Sequence, residues 1–413
     1  MKTSSKKTFK YVFVMFVLLF FISFAFSGHL AAATAWSRGY ERHQLPEIDE
    51  SREALLLHLK QIEEHYQEKE KRLSDLLQSY QQLPIREDNL IQARSMMEAT
   101  GEQGVTPIYT VDDLINISQN MSAQYILMVD LDLSGVPDWT PLIGAQDEPF
   151  SGVLDGNGFS IRNLQSTQGG LIRANNGGII KNLNLPEVRI NYTGKYINEF
   201  GAISGVSLGG LITNCRVTGE ISSIDSVAGV TSYVYEAIVS HCIVDAIITS
   251  GEDAGGITNY NCGGVISNCV TSGMISSTSS NTIQVGGIAS ASEGDIVECS
   301  SSAICSTLNG STGGIAAAFW EGDMSDCFTT GAISGNTSTG GIAGAFWESS
   351  MTNCYATGAV SGGDNSIGGI AGAFWESSMT NCYATGAVSG GDNSIGGIAG
   401  AFWESSMTNC YAT

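Results

Sequence analysis

The sequence predicts an all-β protein: a parallel β-helix, or β-solenoid, of about 28-residue turns, preceded by an α-helical, coiled-coil-like segment. Three observations carry that prediction. The string GGIAGAFWESSMTNCYATGAVSGGDNSI fills residues 340–367, recurs unchanged over 368–395, and restarts at Gly396 to run as far as Thr413. A fixed period of this size marks one structural unit stacked on copies of itself. Cysteines at Cys215, Cys242, Cys269, Cys299, Cys327, Cys354, Cys382 and Cys410 then extend the register into units that have otherwise diverged, at steps of 27 to 30 residues. Finally, the unit shows no helical periodicity: its Ile, Val, Thr and aromatic residues sit between Gly, Ser, Asn and Asp turns, which suits about three short strands per coil. Ten or eleven such coils at ~4.8 Å each would stack to roughly 50 Å.

The elements follow in chain order. Residues 1–35 carry Lys2, Lys6, Lys7 and Lys10 before an apolar run from Tyr11 to Phe26 and small residues from Ala31. This pattern reads as a signal peptide cleaved after Ala33 or Ala35, or as an uncleaved N-terminal membrane anchor. In either case the rest of the chain is expected outside the cytoplasm.

Residues 36–106 are read as a helical segment and linker. Leu55, Leu59, Ile62, Tyr66, Lys69, Leu73, Leu76, Tyr80 and Leu83 alternate steps of four and three, a heptad seam interrupted only by Lys69. Such a seam serves self-association through a coiled coil, or a single amphipathic helix docked on its own protein. Residues 84–106 read as a second short helix and a linker.

Residues 107–168 read as the lead-in and cap of the solenoid. Thr110 and Asp113 form a helix-start signal, placing a short helix over Val111 to Ser118. Tyr125 to Leu133 alternates as a strand. Asp155-Gly156 and Asn157-Gly158 supply a tight turn between two more strands. From 169 to 413 the chain aligns on itself through Gly-Gly-apolar starts, and its stop at Thr413 in mid-turn suggests an incomplete array.

Stacking turns each repeated position into a column. The cysteine face is assigned to the core as a ladder of buried thiols, with a disulfide reading open and Cys262 and Cys305, off the ladder, the better partners for a bridge. Asn353, Asn381 and Asn409, with Asn214 and Asn268, precede the cysteine and suit an amide-to-amide ladder along a corner; His241, Glu298 and Asp326 replace them elsewhere. Trp320, Trp347, Trp375 and Trp403 follow a phenylalanine and precede Glu321, Glu348, Glu376 and Glu404. This is a possible surface stripe for sugar rings or a protein partner, or else a set of mutually stacked, mostly buried rings. Asp364, Asn365, Asp392 and Asn393 add oxygen ligands, yet no regular calcium-binding nonapeptide is present, and no metal or other cofactor is assigned.

GGIAGAFWESSMTNCYATGAVSG resembles the GLUG-type repeat of bacterial surface proteins. The lead-in YTVDDLINISQNMSAQYILMVDLDLSG, with W-PLIG and F-G-LDGNGFSI-NL, is similar to the segment that opens such arrays. The resemblance covers about 107–413, departing at Ala228 and Ala317, where motif glycines are lost and altered turns are expected. It is specific to the family and not to one function; members of that family include adhesins and the non-catalytic regions of immunoglobulin A1 peptidases.

A net charge of −22, from 19 basic and 41 acidic residues, argues against nucleic acid or an anionic membrane surface as the main partner; membrane contact is expected only through the N-terminal segment. Repetitive acids, a lone solenoid histidine at His241, and no HExxH or G-x-S-x-G motif argue against an enzyme. The reading is therefore a non-catalytic extracellular or cell-surface protein for adhesion or scaffolding, with a host or cell-surface protein or glycan as partner. The alternatives are a polysaccharide-acting β-helix enzyme, the non-catalytic N-terminal part of a larger surface peptidase, and ice or mineral binding through Thr352, Thr380 and Thr408.

Overall fold

In the computed structural model, the residues described are 104–144, 147–193, 199–281, 283–363, 365–391 and 394–413. The signal or anchor segment and the heptad segment lie outside them. Among the described residues, no helix is long and apolar enough to cross a membrane.

The described chain is a parallel β-solenoid. Each late coil places four short strands in four stacked sheets, one more than the three expected. In the coil that opens the second full repeat these are Ile367–Gly368, Ala371–Trp375, Ser378–Thr380 and, on the fourth sheet, the split pair Tyr383–Ala384 and Val388–Ser389. The first, second, third and fourth sheets hold 8, 9, 12 and 14 strands. Pairing is parallel and in register from coil to coil, so that Phe346 sits over Phe374 and Met351 over Met379.

The extra corner comes from backbone that simple strand patterning does not reveal. Glu376 (φ 45°) turns the chain from the second sheet into the third, and Asn381 (φ 55°) from the third into the fourth. Asparagine enters this left-handed region readily, whereas glutamate does so against a steric penalty. At the Gly-Gly corner the requirement is space: a Cβ on Gly369 would lie 2.1 Å from the Gly397 carbonyl oxygen of the next coil. Ala228, where a motif glycine is lost, still pairs in register with Gly201 and Gly255, and Ala317 is buried.

Inside each coil, one residue from every wall meets in a narrow apolar core. Ile370, Ala371, Phe374, Met379, Cys382 and Ala384 are all buried in a single continuous cluster. The lead-in joins the same structure. Val105–Ile108, Gln124–Leu127 and Val153–Asp155 are the first three strands of the third sheet. Thr110 caps the short helix Val111–Ile115 in a reciprocal capping box with Asp113, and a 3-10 turn, Asn116–Gln119, continues it. The expected strand from Tyr125 to Leu133 is two strands, Gln124–Leu127 and Leu131–Asp132. Buried Trp139 donates its indole N–H to the Leu171 carbonyl at 3.2 Å, tying the lead-in to the first repeat.

Candidate functional site

The solenoid offers repeating outer faces, and two of them are apolar. On the second sheet the column Ser207, Val234, Asn261, Ser292, Phe319, Phe346, Phe374, Phe402 points inward. Its phenylalanines stack at 5.0–5.8 Å. The residues on either side must then face outward. They form the column Leu208, Tyr235, Cys262, Glu293, Trp320, Trp347, Trp375, Trp403 and, beside it, Val206, Tyr233, Tyr260, Ala291, Ala318, Ala345, Ala373 and Ala401. Several of these make an apolar cluster separate from the core.

Trp320 and Trp347 stack with ring centroids 4.9 Å apart and planes 4° from parallel, whereas Trp375 and Trp403 are tilted by 52°. The first three tryptophans are half-buried and Trp403, on the last strand of the sheet, is exposed. Glu293 takes the tryptophan position one coil below Trp320. It accepts from the Tyr260 hydroxyl at 2.5 Å and the Cys262 thiol at 3.5 Å, and burial pushes its carboxyl above the usual range.

Glu321, Glu348, Glu376 and Glu404 occupy the next corner. With Asp295, Asp323, Ser349, Ser350, Ser377 and Ser378, the first three of these line a shallow acidic groove of about 480 Å³. Backbone N–H groups of Ser349 and Ser377 donate to the hydroxyls of Ser377 and Ser405, so part of the groove's polar wall is already engaged coil to coil. Asp364, Asp392 and Asn393 lie outside the described residues. Among the described residues, no group of three or more His, Cys, Asp or Glu side chains is placed to hold a metal ion.

The eight ladder cysteines face the core as free thiols. All are buried except Cys410, which is partly exposed. Each donates weakly to the carbonyl two residues earlier, as Cys382 does to Thr380 at 3.3 Å. Burial pushes the thiols of Cys215, Cys269 and Cys354 well up. Cys305 lies in the core on the fourth sheet, its thiol pushed by burial up to about 12, while Cys262 lies on the outside of the second; no disulfide joins them. Asn409 donates to Asn381, Asn381 to Asn353 and Asn353 to Asp326 at 3.0–3.2 Å along the exposed corner. Thr352, Thr380 and Thr408 are in register on the outside of the third sheet.

The outer face of the fourth sheet holds the second apolar stripe, which sequence patterning missed. Register places Arg216, Ile243, Val270, Ser300, Phe328, Tyr355, Tyr383 and Tyr411 in one column. Glu220, Ile247, Met274 and Ile304 form the next. Ile247, Met274 and Ile304 are 48%, 42% and 49% exposed. The Phe328–Tyr355–Tyr383–Tyr411 rings stack at 4.9–5.3 Å within 7° of parallel. Exposed apolar side chains thus adjoin half-buried stacked rings on this face. The signal was present as apolar pairs four residues apart, Ile243/Ile247 and Val270/Met274, but only coil-to-coil register joins them.

No protein-family model matches the chain. Halomucin of Haloquadratum walsbyi is 32% identical over 146 aligned residues, which cover 30% of this chain and 2% of halomucin, so the chain spans only a small part of that relative. Among solved structures, a Bacteroides ovatus protein provisionally assigned as an immunoglobulin A1 protease is similar at TM-score 0.41 and 16% identity, covering 76% of this chain and 85% of that one. A second, an IgA1 protease, is similar at TM-score 0.46 and 15% identity, covering 66% of this chain and 21% of that one. The chain described here is thus a repeat protein of the parallel β-solenoid class.

Proposed function

We propose that this chain is a non-catalytic, surface-displayed GLUG-type repeat rod that engages a host or cell-surface protein or glycan through the outer face of its fourth sheet. The observation that carries the reading is the apolar stripe that runs from exposed Ile243, Ile247, Met274 and Ile304 to the stacked rings of half-buried Tyr355 and Tyr383 and exposed Tyr411. Isoleucine and methionine suit the apolar centre of a protein contact, and stacked tyrosines add rigid, partly polar area at low entropic cost. Repetition favours binding over catalysis, because successive coils offer apolar groups at equivalent positions and weak contacts add through multivalency. The basic-then-apolar N-terminal pattern supports export.

The test is binding of residues 36–413 to arrays of host proteins and glycans, compared with a triple variant Ile247→Ser, Met274→Ser, Ile304→Ser. A hit on the parent that is lost in the variant supports the reading. Binding unaffected by the variant would move the site elsewhere, and loss of polysaccharide mass on incubation would replace adhesion with an enzyme.

A further inference from the structure

From the coil of Arg216 upward, the outer face of the fourth sheet is apolar in its early part and uncharged in its late part. Three columns face outward together. The first runs from Arg216 through Ile243 and Val270 to the stacked rings. The third runs from Glu220 through Ile247, Met274 and Ile304 to Ala332, Ala359 and Ala387. Between them lies a middle column of Thr218, Asp245, Ser272, Ser302, Thr330 and Thr357. Arg216, Glu220 and Asp245 are the charges of these columns, and from Val270 upward there are none, in a chain of net charge −22. Copies of so acidic a chain repel one another, and above Asp245 this face sets no carboxylate against a carboxylate.

We propose that the partner of this face is a second copy of the same chain, the two solenoids lying side by side and parallel about a two-fold axis that follows the middle column. The inference rests on the binding role given above to the fourth sheet, and it names the cell-surface protein that the sheet engages. Such an axis sets the first column of one copy against the third column of the other at the same level. Arg216 then meets Glu220 of the second copy, and Glu220 meets its Arg216. Within one copy these two stand four positions apart on the strand Arg216–Ser223, about 13 Å, too far to pair with each other. One coil higher Ile243 meets Ile247, then Val270 meets Met274 and Ser300 meets Ile304. In the late coils Phe328, Tyr355 and Tyr383 each meet an alanine, so that a ridge on one copy enters a trough on the other.

Charge and size therefore alternate between the two flanking columns as a self-complementary face requires. An antiparallel pair would instead press ring column on ring column and leave alanine facing alanine, and Arg216 would no longer reach Glu220. A glycan suits the late face less well. The rings from Phe328 to Tyr411 cover one another's faces at 4.9–5.3 Å, so they turn edges outward, whereas a sugar ring stacks on an open aromatic face. One contact opposes the pairing: Asp245, which accepts from the Ser272 hydroxyl at 2.8 Å, lies on the axis and meets its own counterpart.

A residue on the axis faces itself, which supplies the probe. Ser302, Thr330 and Thr357 are exposed on the middle column in three successive coils. Ser302→Cys, Thr330→Cys and Thr357→Cys are each introduced into the full chain, treated with a short bismaleimide and mapped by mass spectrometry. The unsubstituted chain and Thr380→Cys, on the third sheet, serve as controls. All three should give dimers joined through the new cysteine and its counterpart, in yields well above Thr380→Cys. In the Ser302→Cys chain, Arg216→Glu should lower the yield roughly tenfold by setting glutamate against glutamate. Adding Glu220→Arg should restore it, and Asp245→Ser should raise it a few-fold. Linkage at one of the three levels alone would overturn the parallel pairing. Yields no higher than Thr380→Cys, or no rescue by the second charge swap, would overturn the proposal. The arrays keep the two readings apart: array binding that is lost in the Ile247, Met274, Ile304 variant, with no cross-link through Ser302→Cys, leaves the fourth sheet a binding face and removes the second copy as its partner.

Discussion

The early coils, from Ile172 to about Ser306, and the late coils, from Gly313 onward, reach the same four-sheet frame with different chemistry. In the early coils the inward column of the second sheet is Asn175, Ser207, Val234, Asn261 and Ser292, with the Asn175 and Asn261 amides donating to the Ser207 and Ser292 hydroxyls. In the late coils the same column is four stacked phenylalanines. The corner after it is glycine at Gly177, Gly209 and Gly263 but glutamate at Glu236, and then glutamate at Glu321, Glu348, Glu376 and Glu404, all at positive φ. On the fourth sheet, coils as far as Val270–Ser277 run one long strand, such as Ile243–Ser250, where later coils break into two, such as Tyr355–Ala356 and Val360–Gly362. The frame is therefore set by register and corner geometry, and several side-chain sets satisfy it. A polar rung is tolerated when its hydrogen bonds close, and an apolar rung when its volume repeats.

The largest effect should come from the late core. Phe346→Ala leaves an unfilled volume between Phe319 and Phe374 and should cost about 3–5 kcal/mol in chemical denaturation. Val234→Ala in the equivalent early column should cost roughly half of that; equal losses would show that the two regions do not differ in how their cores are held. Next comes the corner. Glu348→Gly relieves a left-handed non-glycine and should stabilise by up to about 1 kcal/mol. A Cβ on Gly263 would meet only the Glu236 side chain, at 3.9 Å, so Gly263→Glu is not blocked sterically and should lose a similar amount through its backbone. If Gly263→Glu were neutral, the glutamate corner would be held by interactions beyond its backbone.

Glu293, at the junction of the two regions, gives a smaller, pH-dependent effect. Burial dominates its surroundings, so its folded pKa stands above the ordinary 4.5. The folded state then binds the proton more tightly than the unfolded one. Stability should be highest below pH 4.5 and fall as pH rises through the elevated folded value. Melting temperature against pH reads this slope, and Glu293→Gln should remove it. The smallest perturbation is a labelling pattern. At pH 8 the buried early and late ladder thiols, and Cys305 at about 12, should resist iodoacetamide in the native protein and react together on unfolding. Early thiols that react before late ones would mark the diverged coils as the locally opening part.

Much of this frame was legible in the sequence because stacking is one-dimensional. Cysteine spacings of 27 to 30 residues give the coil, and the inward cysteine fixes which strand positions face the core. The fourth wall was not legible because it depends on Glu376 and Asn381 adopting positive φ, and glutamate is a poor sign of that conformation. Thr110 and Asp113 signalled their helix start, since a capping box is local. The fourth-sheet stripe was missed because Ile247, Met274 and Ile304 are distant in sequence and adjacent only through pairing. The tryptophan positions were visible, but not the burial of the alanines beside them, which no local pattern encodes.

In-register pairing of identical units has a genetic consequence. Gaining or losing one 28-residue copy shifts every later coil by a whole rung, leaving each side chain with neighbours of the same kind as before. Slippage at the repeats would thus alter the protein's reach in increments of about 4.8 Å, as a ruler is cut or extended at its marks, with no intermediate length that breaks the frame.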